Sequence, residues 1–130
     1  MNITKKIVLR DNIACVNPNF LKTHFDIKRS KCDDFRTDVK NCIESDEFKD
    51  LVCRYCRTKN PNVLINYINE KNIQNMYFNQ IGTCRLIMEY IIQETEEFNT
   101  FNIDTLKNVK IYLARILYYH MNIISNKYKM

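Results

Sequence analysis

The chain has 130 residues, 45% hydrophobic and 27% charged, enough for one globular domain that buries roughly two-thirds of its unfolded surface, and too short for a second. Its single glycine, Gly82, excludes the dinucleotide fingerprint, the phosphate-binding P-loop and the G-x-S-x-G nucleophile elbow, which need two or more at fixed spacing, and makes positive φ nearly unavailable. The net charge of +5 is uneven, with 13 Lys/Arg against 9 Asp/Glu in residues 1–60, 2 against 5 in 61–98 and 5 against 1 in 99–130; without a dense basic cluster, nucleic-acid binding is disfavoured.

Tight primed hairpins lean on glycine, so an all-α protein is the default, with asparagine able to supply a few turns. Residues 1–17 are the least decipherable: Ile3, Ile7, Val8, Leu9 and Ile13 fit a strand or a short helix that Asn17-Pro18 ends. Lys5, Lys6 and Arg10 surround an apolar run too short for a secretory signal, so the protein is expected to stay inside a cell. Pro18 opens an expected helix to about residue 29. From Asp33, the apolar positions Phe35, Val39 and Cys42/Ile43 recur at helical spacing, and Ser45 with Asp46 and Glu47 marks a break and a new acidic N-terminus. The following helix is expected to bury Phe48, Leu51, Val52, Tyr55 and Cys56. Asn60-Pro61, with Asn as N-cap and Pro at the first helical position, leads Leu64, Ile65 and Ile68 into a short helix ending near Lys71.

No breaker interrupts Ile73 to Gln93, and apolar side chains there point in almost every direction, which predicts a central, buried helix. Gly82 inside it costs about 1 kcal/mol against Ala, so a close approach by a neighbouring backbone is its expected reason. After the polar stretch Gln93 to Asn102, a last helix starts near Asp104 and turns Leu106, Val109, Leu113, Ile116, Leu117, His120 and Ile124 inward. The expected architecture is one bundle of six or seven helices around a central hydrophobic helix, spanning residues 1–130. No stretch approaches the roughly 18–20 apolar residues of a membrane span, and the C-terminus is polar, so no membrane anchor is expected.

Six cysteines, at 15, 32, 42, 53, 56 and 84, read as structural thiols of a reducing compartment. Cys53 and Cys56 have a C-x-x-C spacing, yet they lie late in an amphipathic helix rather than at a helix N-terminus, and His24, Cys32 and Cys42 do not repeat a paired zinc spacing. Neither metal nor cofactor is expected. Glu94, Glu96 and Glu97 read as a solvated connector rather than an acid/base pair, and His120 as a hydrogen-bonded core histidine.

The segment Leu64 to Cys84, LINYINEKNIQNMYFNQIGTC, resembles a pattern of the poxviral Bcl-2-like family of intracellular innate-immunity antagonists: a short helix ending in an I-[ND]-[YF] type triplet, a polar joint and a central helix carrying I-G-x-C. Ile81, Gly82 and Cys84 carry the last match, and the closing LARILYYHMNIISNKYKM is similar to the family's final helices. The resemblance covers residues 64–130 and marks scaffold positions. It implies a Bcl-2-like fold in the host cytoplasm and binding rather than catalysis. The implied partner is a host signalling adaptor or kinase, or in another branch a pro-apoptotic helix held in a groove, and a homodimer is compatible with it. The apoptotic branch often carries a hydrophobic C-terminal anchor, and since none is expected here the signalling branch is favoured. A helical module binding nucleic acid or viral components is the remaining alternative.

On the last helix, Ile111 and Tyr118 lie seven residues apart away from the inward stripe, with Arg115 between them and Tyr112 and Tyr119 flanking. Exposed Tyr and Arg are enriched at interface hot spots, so these five residues form the candidate protein interface.

Overall fold

The structure, a computed structural model, describes residues 25–73, 81–94 and 96–129, and expectations for residues 1–17 and Cys15 lie outside them. The described residues form five α-helices rather than the expected six or seven: α1 (Cys32–Ile43), α2 (Asp46–Thr58), α3 (Asn62–Glu70), α4 (Gly82–Glu94) and α5 (Ile103–Ser125). Short 3-10 turns, Arg29–Lys31 and Glu96–Thr100, precede α1 and α5. The helix expected from Pro18 to about residue 29 does not continue past Phe25, and its residues 18–24 lie outside the described ones. Asp26 turns the chain at φ 58°, and Ile27 pairs in an antiparallel bridge with Lys129, joining the two ends of the described chain.

Local chemistry accounts for the helix boundaries. The Ser45 hydroxyl accepts from the Phe48 N–H at 3.4 Å and starts α2, with Asp46 and Glu47 in the first turn where carboxylates offset the helix dipole. The Asn60 carbonyl side chain accepts from the Asn62 N–H at 3.0 Å, and Asn102 does the same for Thr105 at 2.8 Å to start α5. α3 closes in a Schellman motif: the Ile73 N–H donates to Ile68 O at 3.1 Å, the Asn72 N–H to Asn69 O at 3.2 Å, and Asn72 takes φ 57°. Ile68 and Ile73 are both buried, as the hydrophobic contact across this motif requires.

Positive φ is therefore available to this chain after all. Asp26, Lys59 and Asn72 adopt it, and Gly82 does not. Gly82 is the first residue of α4 rather than an interior one, and a Cβ there would meet nothing within 4 Å among the described residues, which show no close backbone approach.

Among the described residues the core is organised by α5; residues 74–80 of the expected central helix lie outside them. α5 packs along α4, α1 and α3, and it buries Val109, Leu113, Ala114, Ile116, Leu117, Tyr118, Met121 and Ser125. At 100° per residue these positions span roughly 200° of the helix, because three helices lie against it. Leu106, His120 and Ile124 are half-buried. α4 buries Cys84, Ile87 and Met88 but leaves Leu86 57% exposed, so it is not enclosed on all sides. The Cys84 thiol, near the start of α4, donates to Met121 Sδ, near the end of α5, at 3.5 Å, so the two helices run antiparallel. Between them the connector is pinned by Phe98, which is fully buried with its ring edge-on to Phe101 at 5.4 Å.

Candidate protein-binding face

The arc of α5 left open by its three neighbours carries Asn108 and Asn122, both exposed, and the half-buried Ile111, Tyr112, Arg115 and Tyr119. The structure thus brings four of the five candidate interface residues onto one rigid face. Ile111, Tyr112 and Tyr119 rest partly against the core, and each keeps an accessible side. The Arg115 Nε is buried without a hydrogen-bond partner among the described residues, while the side chain as a whole remains half-exposed.

Tyr118 does not belong to this face. Its side chain is 9% exposed and its ring lies 5.3 Å from that of Phe25, which in turn packs 5.7 Å from Phe35. Position 118 is at the edge of the helix's polar arc by periodicity, and Phe25, remote in sequence, packs over it. Burial raises the Tyr118 phenol's pKa above its ordinary value.

A polar cluster that the sequence reading left unassembled lies where α2, α3 and α5 meet. The Tyr67 hydroxyl donates to Glu47 Oε1 at 2.9 Å and lies 3.0 Å from His120 Nε2. His120 is hydrogen-bonded, as expected, and its ring is surrounded by Phe48, Tyr67 and Tyr119 with centroids at 6.4, 6.2 and 5.2 Å. Burial and the Glu47 hydrogen bond both raise the Tyr67 pKa, and burial is the main force lowering that of His120. The three residues sit on separate helices without a shared motif, and the polar positions of Glu47 and Tyr67 on amphipathic helices look like ordinary solvated faces. No local sequence signal marks their meeting.

The described thiols sit in the core or against it. Cys53 and Cys56 lie buried on α2, Cys32 and Cys84 are buried, and Cys42 is half-buried. Burial, then Glu47, pushes the Cys42 thiol up to about 11, and burial raises Cys84 strongly, so both stay protonated near neutral pH. Among the described residues no group of three His, Cys, Asp or Glu side chains is arranged to hold a metal ion. His24 lies outside the described residues, as do the side chains of Glu94 and Glu97, while Glu96 is exposed. No helix among the described residues is long and apolar enough to cross a membrane.

No protein-family model, curated protein or solved structure matches the chain.

Proposed function

We propose that the chain is a non-enzymatic viral antagonist of host innate immune signalling, of the Bcl-2-like kind, which binds an adaptor or kinase of NF-κB or interferon induction in the host cytoplasm. The observation that carries this reading is the open face of α5. Ile111, Tyr112, Arg115 and Tyr119 combine apolar, aromatic and guanidinium groups on a helix whose other sides are held by three neighbours. A pre-ordered surface of this kind loses little entropy on binding, and a single aromatic or Arg anchor is worth about 2 kcal/mol or more. The resemblance over residues 64–130 supports the family. Its I-G-x-C residues Ile81 and Cys84 are both fully buried at the base of α4, where a scaffold motif belongs.

Expression of the chain alone in host cells, with a cytokine- or Toll-stimulated NF-κB or interferon reporter, tests this reading. The wild type is expected to lower the reporter. Ile111→Asp combined with Arg115→Glu is expected to abolish that effect while the far-UV helical signal and melting temperature stay near wild type. Unchanged inhibition by the variant would remove the α5 face from the mechanism. Tight binding of pro-apoptotic helical peptides without a reporter effect would instead favour groove-type apoptosis inhibition, and capture of nucleic acid in place of either protein class would overturn both.

A further inference from the structure

We propose that the open face of α5 takes a carboxylate: the protein segment that docks there carries an Asp or Glu, set among apolar side chains, that pairs with the guanidinium of Arg115. The proposal rests on the reading of this face as the docking surface and adds the chemistry its partner must present. Arg115 sits at the middle of the open arc. At about 100° per residue, Ile111 one turn before it and Tyr119 one turn after it stand about 40° to either side, with Tyr112 just beyond Tyr119. Ile123, 52% exposed, continues the Tyr119 side by one more turn. A lone cation is thus framed by apolar and aromatic groups.

That cation lacks an acceptor. Among the described residues the Arg115 Nε is buried without a hydrogen-bond partner, although a guanidinium fork is built to pair its N–H donors with a carboxylate or a phosphate. Arg36, whose Nε is also buried, shows the contrast, since its Nη1 lies 3.2 Å from Asp33 of its own helix. Arg115 has no such neighbour on α5. The helix carries one acid against three Lys or Arg, and that acid, Asp104, lies three turns earlier, about 16 Å along the axis and far beyond ion-pair reach. Glu47 on α2 is engaged by the Tyr67 hydroxyl at 2.9 Å. The missing anion is a carboxylate rather than a nucleic-acid phosphate, because a phosphate backbone is tracked by rows of cations. Along this arc Arg115 is followed and preceded by Asn108, Ile111, Tyr112, Tyr119 and Asn122, none of them basic. One guanidinium beside half-buried rings suits one carboxylate on a protein chain: the rings hold water off the pair, where a charge-assisted bidentate bond is strongest.

A library of helical peptides displayed on phage and selected against the full chain tests this, binders being kept when Ile111→Asp weakens them. The kept binders are expected to share an Asp or Glu beside apolar residues. In the tightest of them, exchanging that acid for its amide should weaken binding to wild type about tenfold or more by calorimetry, and change binding to Arg115→Gln far less. Arg115→Lys should recover only part of the affinity, because an ammonium lacks the planar fork. Binders that need Ile111 but share no acid, or an amide exchange that acts equally on wild type and Arg115→Gln, would overturn the carboxylate proposal and leave the α5 face standing as a docking surface. If no binder were weakened by Ile111→Asp, both would fall. A single-stranded oligonucleotide that displaced the peptides from wild type and lost its hold on Arg115→Gln would put a phosphate in the carboxylate's place and overturn the proposal too. Should Arg115→Gln fail to fold, the amide exchange in the peptide leaves the protein untouched, and unchanged affinity for wild type would overturn the proposal by itself.

Discussion

The phenol of Tyr128 donates its hydrogen bond to the carboxylate of Asp38, a partner 90 residues earlier in the chain. Lys127 Nζ lies 2.9 Å from the same carboxylate, the Tyr128 ring stands edge-on to Phe35 at 6.3 Å, and Lys129 pairs with Ile27. Residues 127–129 therefore clasp α1 to the end of α5. The Tyr128 hydrogen bond, then Lys127, holds Asp38 below its ordinary value of 3.8, and the Asp38 carboxylate raises both Lys127 and Tyr128.

Asp38→Asn should lower the melting temperature at pH 7 by about 3 °C, in keeping with a half-buried carboxylate paired to an exposed lysine. Because the folded pKa of Asp38 is depressed, its contribution is present above pH 3.8 and disappears as the pH falls through the folded value. Wild type and variant should converge in strong acid. The raised pKa values of Tyr128 and Lys127 give the opposite limb, with their contributions present at neutral pH and lost in strong alkali as they deprotonate. Melting curves across this range would count against the clasp if the wild-type advantage persisted below both carboxylate pKa values.

Gly82→Ala should stabilise the protein by about 0.4–1 kcal/mol. Gly82 has no positive φ and, among the described residues, no neighbour that a Cβ would strike, and Ala restricts the unfolded chain more. Denaturant unfolding measures the gain, and a loss of stability would mean that the start of α4 is more crowded than this.

Asn72 is the counter-case, since its φ of 57° closes α3. Asn72→Ala should cost about 1 kcal/mol, because a Cβ without a local polar partner is strained in the left-handed region, whereas Asn72→Gly should leave stability unchanged or improved. Equal effects of the two substitutions in denaturant titrations would argue against the Schellman closure.

Helices α1, α2 and α3 were legible in the sequence because apolar periodicity marks α1 at Phe35 and Val39, where no side chain caps the start, and is joined by capping side chains at Ser45 ahead of Asp46 and Asn60 ahead of Pro61. The start of α4 was not. Ile73 looks like the first turn of a long apolar helix, but it is buried as the closing residue of α3, and nothing in the residue types separates those roles. Glycine scarcity misled in part: the left-handed Asn72 is a turn that asparagine was expected to supply, but Lys59 and Asp26 also adopt positive φ, which composition gave no reason to expect. On the candidate face, periodicity located Ile111, Tyr112, Arg115 and Tyr119 on the open arc, but it carries no information on which distant segment covers the arc's edge. Phe25 does so at Tyr118.

That contact makes Tyr118 a test of folding and its neighbours a test of binding. Tyr118→Phe keeps the ring against Phe25 and should cost less than about 1.5 kcal/mol, the order of one hydrogen bond. Tyr118→Asp places an unpaired carboxylate where the side chain is 9% exposed, and should cost about 3–5 kcal/mol, a large part of the stability of a domain this size. Ile111→Asp, on the half-exposed arc where water still reaches the new carboxylate, should cost markedly less. Loss of reporter inhibition in Tyr118→Asp would then accompany a lower melting temperature, whereas Ile111→Asp with Arg115→Glu should lose inhibition with its melting curve nearly intact. If Tyr118→Asp instead melted like wild type, Tyr118 would return to the binding face and the packing of Phe25 over α5 would be wrong.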